Sequence, residues 1–221
     1  AAEMSAGGAA IEFIQVDVTS KESQQALFDD VVSRYGRVDT VLAAAGVSSS
    51  GYISGEVDEV EADPEERMFH NRSLEDWERV MAVNVTGVML TNQIAIQHML
   101  AKQTKGSIVN IASIAGRRPL PGASDYCVSK AAVIMLTKTV ATEYSTLDIR
   151  VNAIGPGFIE TPMTANIRQS PEWMEIVMQM TPMQRMGQAS EIASTALFLA
   201  SDESSYFNGQ TLFPNGGMFV G

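Results

Sequence analysis

Short apolar runs alternate along the chain with stretches in which apolar residues recur every third or fourth position. The first kind reads as buried strand and the second as amphipathic helix. "IEFIQVDV" (11–18) is rich in β-branched and aromatic residues and predicts a strand. Residues 20–36 start at Ser20, keep helical spacing and stop at Gly36. "VDTVLAAAGV" (38–47) predicts a second strand, followed by a long polar stretch to Arg72. Ser73-Leu74-Glu75-Asp76 resembles a capping box and opens a helix running to Lys102. Strands follow at 106–113 and 149–157, separated by a helix that begins after the Pro- and Gly-rich "GRRPLPGAS". Thr161-Pro162 and Ser170-Pro171 each pair an N-cap with Pro at the first helical position. An amphipathic helix at 190–201 and a short strand at 209–217 complete the pattern. Residues 1–10 read as the tail of a helix entering a Gly turn.

Strand and helix alternate throughout, which predicts an α/β fold: one domain, with a parallel sheet covered on both faces. In such sheets the ligand lies beyond the carboxyl ends of the strands. That rule selects Asp17, Gly46, Ser113 and Pro156, one at the end of each of the first four predicted strands.

Charge and composition then exclude several classes of function. The net charge is −11. Residues 50–72 hold seven acids and two bases, so nearly half of the imbalance sits in one inserted loop. An acidic chain without a basic patch repels phosphate backbones, which argues against nucleic-acid partners. No apolar run is long enough to span a membrane. No basic segment followed by an apolar one reads as a signal peptide. A single cysteine, Cys127, fits a reducing compartment and a cytoplasmic protein, and reads as a small buried filler. His70 and His98 have no Cys or carboxylate at ligand spacing, so no metal site is expected.

The chemistry concentrates in "SDYCVSKAAV" (124–133). Tyr126 and Lys130 lie four apart, on one helical face, and Ser113 precedes the phenol by thirteen positions across a turn. Tyr and Lys four apart are commonplace; the third partner makes the set informative. A hydride arriving at a carbonyl carbon creates an alkoxide that needs a proton. A phenol titrates near 10, and a neighbouring cation favours its phenolate. Ser113 can hold the substrate oxygen beside it. No side chain supplies a hydride, so a cofactor must.

"SIVNIAS" followed by "YCVSK", with "VMAVNVTG" and "IRVNAIGPGFIETPM", resembles the classical short-chain dehydrogenase/reductase family over nearly the whole chain. The resemblance implies a Rossmann-type doubly wound sheet and an oxidoreductase that interconverts a ketone and a secondary alcohol with NAD or NADP. It implies Tyr126 as acid/base, Lys130 as the residue that lowers its pKa and bonds the nicotinamide ribose, and Ser113 as the group polarising the carbonyl. Asn84 would hold a water in a proton relay. Asp17 and Val18 would contact the adenine end, Ala45 and Gly46 would border the cofactor, and Pro156, Gly157, Ile159 and Thr161 would flank the nicotinamide. Plainer readings stand beside these. Asp17 can simply cap the following helix, Asn84 can brace a neighbouring backbone, and Gly157 can be an ordinary turn residue. The resemblance also implies a homodimer or homotetramer built on the helix 73–102 and the Tyr126 helix; Ile94, Ile96, Met99, Val133, Ile134 and Leu136 offer more apolar surface there than one sheet face needs.

Three departures from the family pattern matter. Its Asn-Asn-Ala-Gly is Ala43-Ala44-Ala45-Gly46 in this chain. The loop from Gly46 to Trp77 is longer than usual, and it either gates the site or is a solvated excursion. The Gly-rich phosphate loop is absent, and the chain does not begin with Met. We therefore expect residues 1–221 to be an N-terminally incomplete single domain. In the family's strand order two strands lie between 11–18 and 38–47, and their absence would leave a gap, so these residues are expected either to show 11–18 displaced to pair with 38–47 or to lack ordered cofactor. A catalytically inactive relative is the main rival; it has no need to keep Asn84, Ser113, Tyr126 and Lys130 together. Lyases and epimerases on the same fold usually carry an added substrate region. Six methionines between 163 and 186 either form an adaptable apolar substrate pocket or pack against the sheet.

Overall fold

The computed structural model describes residues 10–50, 53, 65 and 68–220. Helix α1 spans Lys21–Tyr35. The Ser20 hydroxyl caps it by accepting the Ser23 N–H at 3.1 Å, and Gly36 closes it by donating its N–H to the Val32 carbonyl at 2.8 Å. Strand β1 (Thr40–Ala43) follows, then helices α2 (Leu74–Met81) and α3 (Val88–Lys102). Next come β2 (Gly106–Ile111), α4 (Ser124–Tyr144) and β3 (Ile149–Ile154). Helices α5 (Ala165–Gln169), α6 (Pro171–Met180) and α7 (Ala189–Ala200) precede β4 (Thr211–Leu212). The strands lie in the order β1-β2-β3-β4, and every neighbouring pair is parallel.

Successive residues of a strand face opposite sides, and both sides are covered. On one, Ile108, Ile149 and Val151 pack against Phe28 of α1 and Ile94, Ile96 and Met99 of α3. On the other, Val109 and Ile154 meet Leu199 of α7. This double burial is why the strands read as continuous apolar runs. One polar knot crosses the core: Asn92 and Asn110 exchange side-chain hydrogen bonds at 2.8 and 3.2 Å, and Asn110 also donates to Thr137 Oγ1 at 3.0 Å. It ties α3, β2 and α4 together with its donors satisfied, as buried polar groups require.

Four expectations are corrected. Residues 11–18 form no strand. Strand propensity needs a ladder partner to act on, and the segment instead anchors to α1, where Arg34 and Tyr35 both bond the Glu12 carboxylate. Val16 and Val18 share a cavity of about 280 Å³ with Val41, Leu42, Ala43, Ala44 and Ala45. They do not pair with β1, so Asp17 ends no strand. Second, the strands are shorter than their apolar runs: β1 stops at Ala43, and the last strand covers only Thr211–Leu212. Third, the helix from Ser73 to Lys102 is interrupted by a wider π-type turn over Ala82–Gly87. Fourth, Ile94, Ile96, Met99, Val133 and Ile134 are buried inside the chain, and Leu136 packs on a core cluster. The sheet takes those faces of α3 and α4, so they offer no subunit surface. Residues 1–9 and most of the acidic loop lie outside the described residues.

Candidate active site

The parallel sheet delivers Ser113 and Pro156 side by side. β2 and β3 end in register at Ile111 and Ile154. Beyond them, Ala112 N–H donates to the Ile154 carbonyl at 2.7 Å and Ile114 N–H to the Pro156 carbonyl at 3.0 Å. Ser113 lies between these bonds, and its Oγ accepts the Ala115 N–H at 3.1 Å. The chain then turns through Gly122 into α4, whose first turn carries Tyr126 and whose second carries Lys130.

Tyr126, Ser113 and Lys130 line one cavity of about 430 Å³. Gly46, Pro156, Gly157, Ile159 and Thr161 line it too. Burial pushes the Tyr126 pKa above its usual value, and the nearby Ser113 hydroxyl draws it back only in part. The Lys130 ammonium lies 5.6 Å from the centre of the Tyr126 ring and donates to the Ile111 carbonyl at 2.9 Å. Burial lowers its pKa to about 8. A cation is therefore beside the phenol, as the spacing predicts, but desolvation of the phenol is the larger effect.

Asn84 lies behind this wall, in the π-type turn. Its Oδ1 accepts the Val47 N–H at 2.8 Å, and its Nδ2 donates to the Val47 carbonyl at 2.9 Å and to Ser129 Oγ at 3.0 Å. Ser129 in turn donates to the Tyr126 carbonyl at 2.8 Å. One amide thus fixes both the Gly46–Val47 loop and the first turn of α4. Such π turns recur at functional sites because they re-aim a few residues of an otherwise regular helix.

A second network holds the same turn from outside. Arg72 Nη1 donates to Ser49 Oγ at 2.7 Å and Nη2 donates to the Gly122 carbonyl at 2.7 Å. Ser49 donates to Asp125, whose Oδ1 accepts the Tyr126 N–H at 2.7 Å. The C-terminal end of the acidic loop is thereby pinned beneath the phenol. Composition gives no sign of Ser49, Arg72 or Asp125 as partners, because they are far apart in sequence. Ser129, by contrast, was visible within "YCVSK".

The adenine-end residues are not brought to this cavity. Val18 and Ala45 line the neighbouring 280 Å³ cavity, with Leu42 and Ala44 common to both. Asp17 Oδ1 accepts the Thr19 N–H at 2.8 Å and the Thr19 hydroxyl at 2.7 Å, and these bonds hold its pKa below the usual carboxylate value. Ser20, not Asp17, caps α1. Cys127 accepts the Leu120 N–H at 3.4 Å, and burial raises its thiol pKa, as suits an inert filler. Of the six methionines, Met163 lines the main cavity, Met174, Met178 and Met186 pack in the neighbouring cluster, and Met183 is exposed.

The wall is closely packed where Gly46 and Gly157 stand. A Cβ on Gly46 would lie 3.3 Å from Lys130 Nζ and 3.4 Å from Asn84 Oδ1, and one on Gly157 would lie 2.9 Å from the Asn215 Cα. An ammonium has three donors, and Ile111 takes one of those on Lys130. Lys130 thus keeps donors free toward the cavity, which is compatible with the nicotinamide cofactor of the family.

Residues 1–219 match the family model described as Enoyl-(Acyl carrier protein) reductase. The chain is 41% identical over 213 residues to 3beta-hydroxysteroid dehydrogenase 1 of Eggerthella lenta, covering 96% of this chain and 75% of that protein. It is 38% identical over 205 residues to the 3-oxoacyl-[acyl-carrier-protein] reductase FabG of Thermotoga maritima, covering 93% and 76%. Among solved structures, a gluconate 5-dehydrogenase from Burkholderia cenocepacia J2315 in complex with NADP and tartrate superposes with a TM-score of 0.87 at 28% identity, over 98% of this chain and 78% of that one. A short-chain type dehydrogenase/reductase from Mycobacterium marinum gives 0.87 at 30%, over 100% and 80%. The chain belongs to the short-chain dehydrogenase/reductase family and is an NAD(P)-dependent oxidoreductase. Among the described residues, no helix is long and apolar enough to cross a membrane.

Proposed function

We propose that the protein interconverts a ketone and a secondary alcohol, with Tyr126 as the acid/base. The observation that carries this reading is the meeting of Ser113, Tyr126 and Lys130 on one cavity. The bound nicotinamide supplies or accepts the hydride. In the reducing direction the substrate oxygen lies between the Ser113 and Tyr126 hydroxyls, and the phenol hands its proton to that oxygen as negative charge develops. Burial keeps the phenol protonated at neutral pH, which suits the acid role. The Lys130 charge stabilises the phenolate left behind and bonds the ribose. Asn84 keeps one lone pair of Oδ1 beyond its bond to Val47, and a relay water beside Lys130 binds there. Pro156, Gly157, Ile159 and Thr161 border the nicotinamide, and Asp17, Val18 and Ala45 serve the adenine end. The relatives support the reaction type: a hydroxysteroid dehydrogenase and an oxoacyl reductase both act, by name, on alcohol or ketone groups.

The test is Tyr126→Phe. Turnover is expected to fall at least about 100-fold, with the circular dichroism spectrum and cofactor affinity unchanged. Activity within tenfold of the parent removes Tyr126 from the mechanism.

A further inference from the structure

We infer that the molecule handled at Tyr126 is neutral and apolar around its reacting carbon, not a carboxylate, a phosphate or a polyol. The inference rests on the reaction proposed above. The cavity lining contains two unlike groups of residues. Gly46 stands against Lys130 Nζ, with Pro156 and Gly157 on the same cavity. Ile53, Ile114, Leu120, Phe158 and Met163 supply an apolar part of the wall. Ile53 and Ile114 are almost fully buried, so these are fixed walls and not mobile surface side chains. Ile53, Leu120, Phe158 and the Tyr126 ring belong to one apolar cluster, backed by Ile167, Val177 and Met186. A charged side chain has no way into that layer without being buried in it.

The ionisable groups among the described lining residues are Tyr126 and Lys130, both used by the reaction. Three cations of the surrounding loops are turned onto protein acceptors. Arg118 donates to the Met218 carbonyl at 3.0 Å, Arg168 to the Thr161 carbonyl at 2.9 Å, and Arg72 to Ser49 and Gly122. Thr164, a hydroxyl on the wall, donates to the Ile159 carbonyl at 2.6 Å and accepts the Thr161 N–H at 3.2 Å. A substrate carboxylate against Ile53, Leu120 and Phe158 would be desolvated against hydrocarbon, and additional hydroxyls there would meet no polar side chain of that cluster; both are disfavoured. Apolar carbon next to the reacting centre instead gains by leaving water, and the Met163 thioether adapts to its outline.

The test uses the full-length protein and three alcohols that share one ring and one secondary carbinol carbon: 4-tert-butylcyclohexanol, 4-hydroxycyclohexanecarboxylate and the triol 4,4-bis(hydroxymethyl)cyclohexanol. Each is assayed for kcat/KM with NAD and with NADP. Each is also titrated calorimetrically into the cofactor-saturated Tyr126→Phe variant, which reads binding without turnover. The neutral apolar alcohol is expected to exceed the other two about 100-fold in kcat/KM, and to bind at least tenfold more tightly. Equal or tighter binding of the carboxylate or the triol overturns the inference, whether or not anything is turned over. Tyr126-dependent oxidation that favours the carboxylate or triol does so too, while leaving the reaction intact. Preferential binding of the apolar alcohol with no oxidation under either cofactor supports the pocket assignment and counts against the reaction.

Discussion

The Lys130 ammonium lies 2.9 Å from the carbonyl oxygen of Ile111, the last residue of β2, and is almost wholly buried. Burial lowers its pKa from 10.5 to about 8, a shift corresponding to about 3 kcal/mol. In the unfolded chain the same group titrates near its ordinary value. From about pH 8 to about 10 the unfolded state binds more protons, so this group's contribution raises stability with pH across that window. Below about pH 8 the full cost of the buried charge is present. Lys130→Met is therefore expected to unfold at higher urea at pH 7, by about 1–3 kcal/mol after the lost Ile111 bond is counted, and to lose turnover. A variant less stable than the parent at pH 7 would show that the ammonium's contacts outweigh its desolvation.

The same titration predicts a pH dependence of rate. In the mechanism proposed above, ketone reduction needs a protonated Tyr126 and a charged Lys130. Only Lys130 changes state near pH 8, since burial moves the phenol upward, away from neutrality. The reduction rate is expected to be level between about pH 6 and 7 and to fall above about pH 8. A pre-steady-state rate of hydride transfer that stays level to about pH 10 would detach Lys130 from the chemical step.

Arg72 and Asp125 form a buried pair whose charges are 4.0 Å apart, linked through the Ser49 hydroxyl. Removing one partner leaves the other charge buried, which typically costs about 3–5 kcal/mol. Arg72→Met and Asp125→Asn are each expected to destabilise on that scale and to lower kcat more than cofactor affinity, because Asp125 holds the Tyr126 N–H. The double variant is expected to lose less than the sum of the two. Strict additivity in urea unfolding would show that the residues act independently.

The sequence made the reacting set legible because it is local or ends a strand. Tyr126 and Lys130 share a helix, and Ser113 and Pro156 end paired strands, so periodicity alone brought them together. Asn84 was legible by family motif, but its bonds to Val47 and Ser129 were not. They depend on a π-type turn that apolar spacing does not distinguish from ordinary helix. Arg72, Ser49 and Asp125 were hidden for a different reason: their contact is purely tertiary, and Arg72 lies in a loop whose composition reads only as acidic. The failure at 11–18 is equally physical. Its residues favour a strand, but a strand is a relation to a neighbour, and the described residues supply none. The interface residues were misassigned because apolar content in α3 and α4 does not say which face the sheet has already taken.

Assembly provides the last prediction, now on different residues. With Ile94, Ile96, Met99, Val133 and Ile134 turned inward, the large apolar side chains left exposed on these helices are Met89 and Leu100 on α3 and Val128 and Met135 on α4. Val128 and Met135 are seven positions apart and share a face, as do Met89 and Leu100 at eleven. The Val128–Met135 face of α4 forms an apolar patch that a two-fold axis doubles by meeting its own copy. Met135 is 60% exposed and Val128 45%, so both have area to lose on association. We expect the protein to be a homodimer or homotetramer whose interface includes this patch, burying upwards of about 1,000 Å² in total. The double variant Val128→Glu/Met135→Lys places charges on the patch without touching the core, so it is expected to fall to a smaller species in light scattering at micromolar concentration while keeping its circular dichroism spectrum. A parent that is already monomeric at that concentration refutes the interface, and an oligomer unchanged by both substitutions moves it to another face.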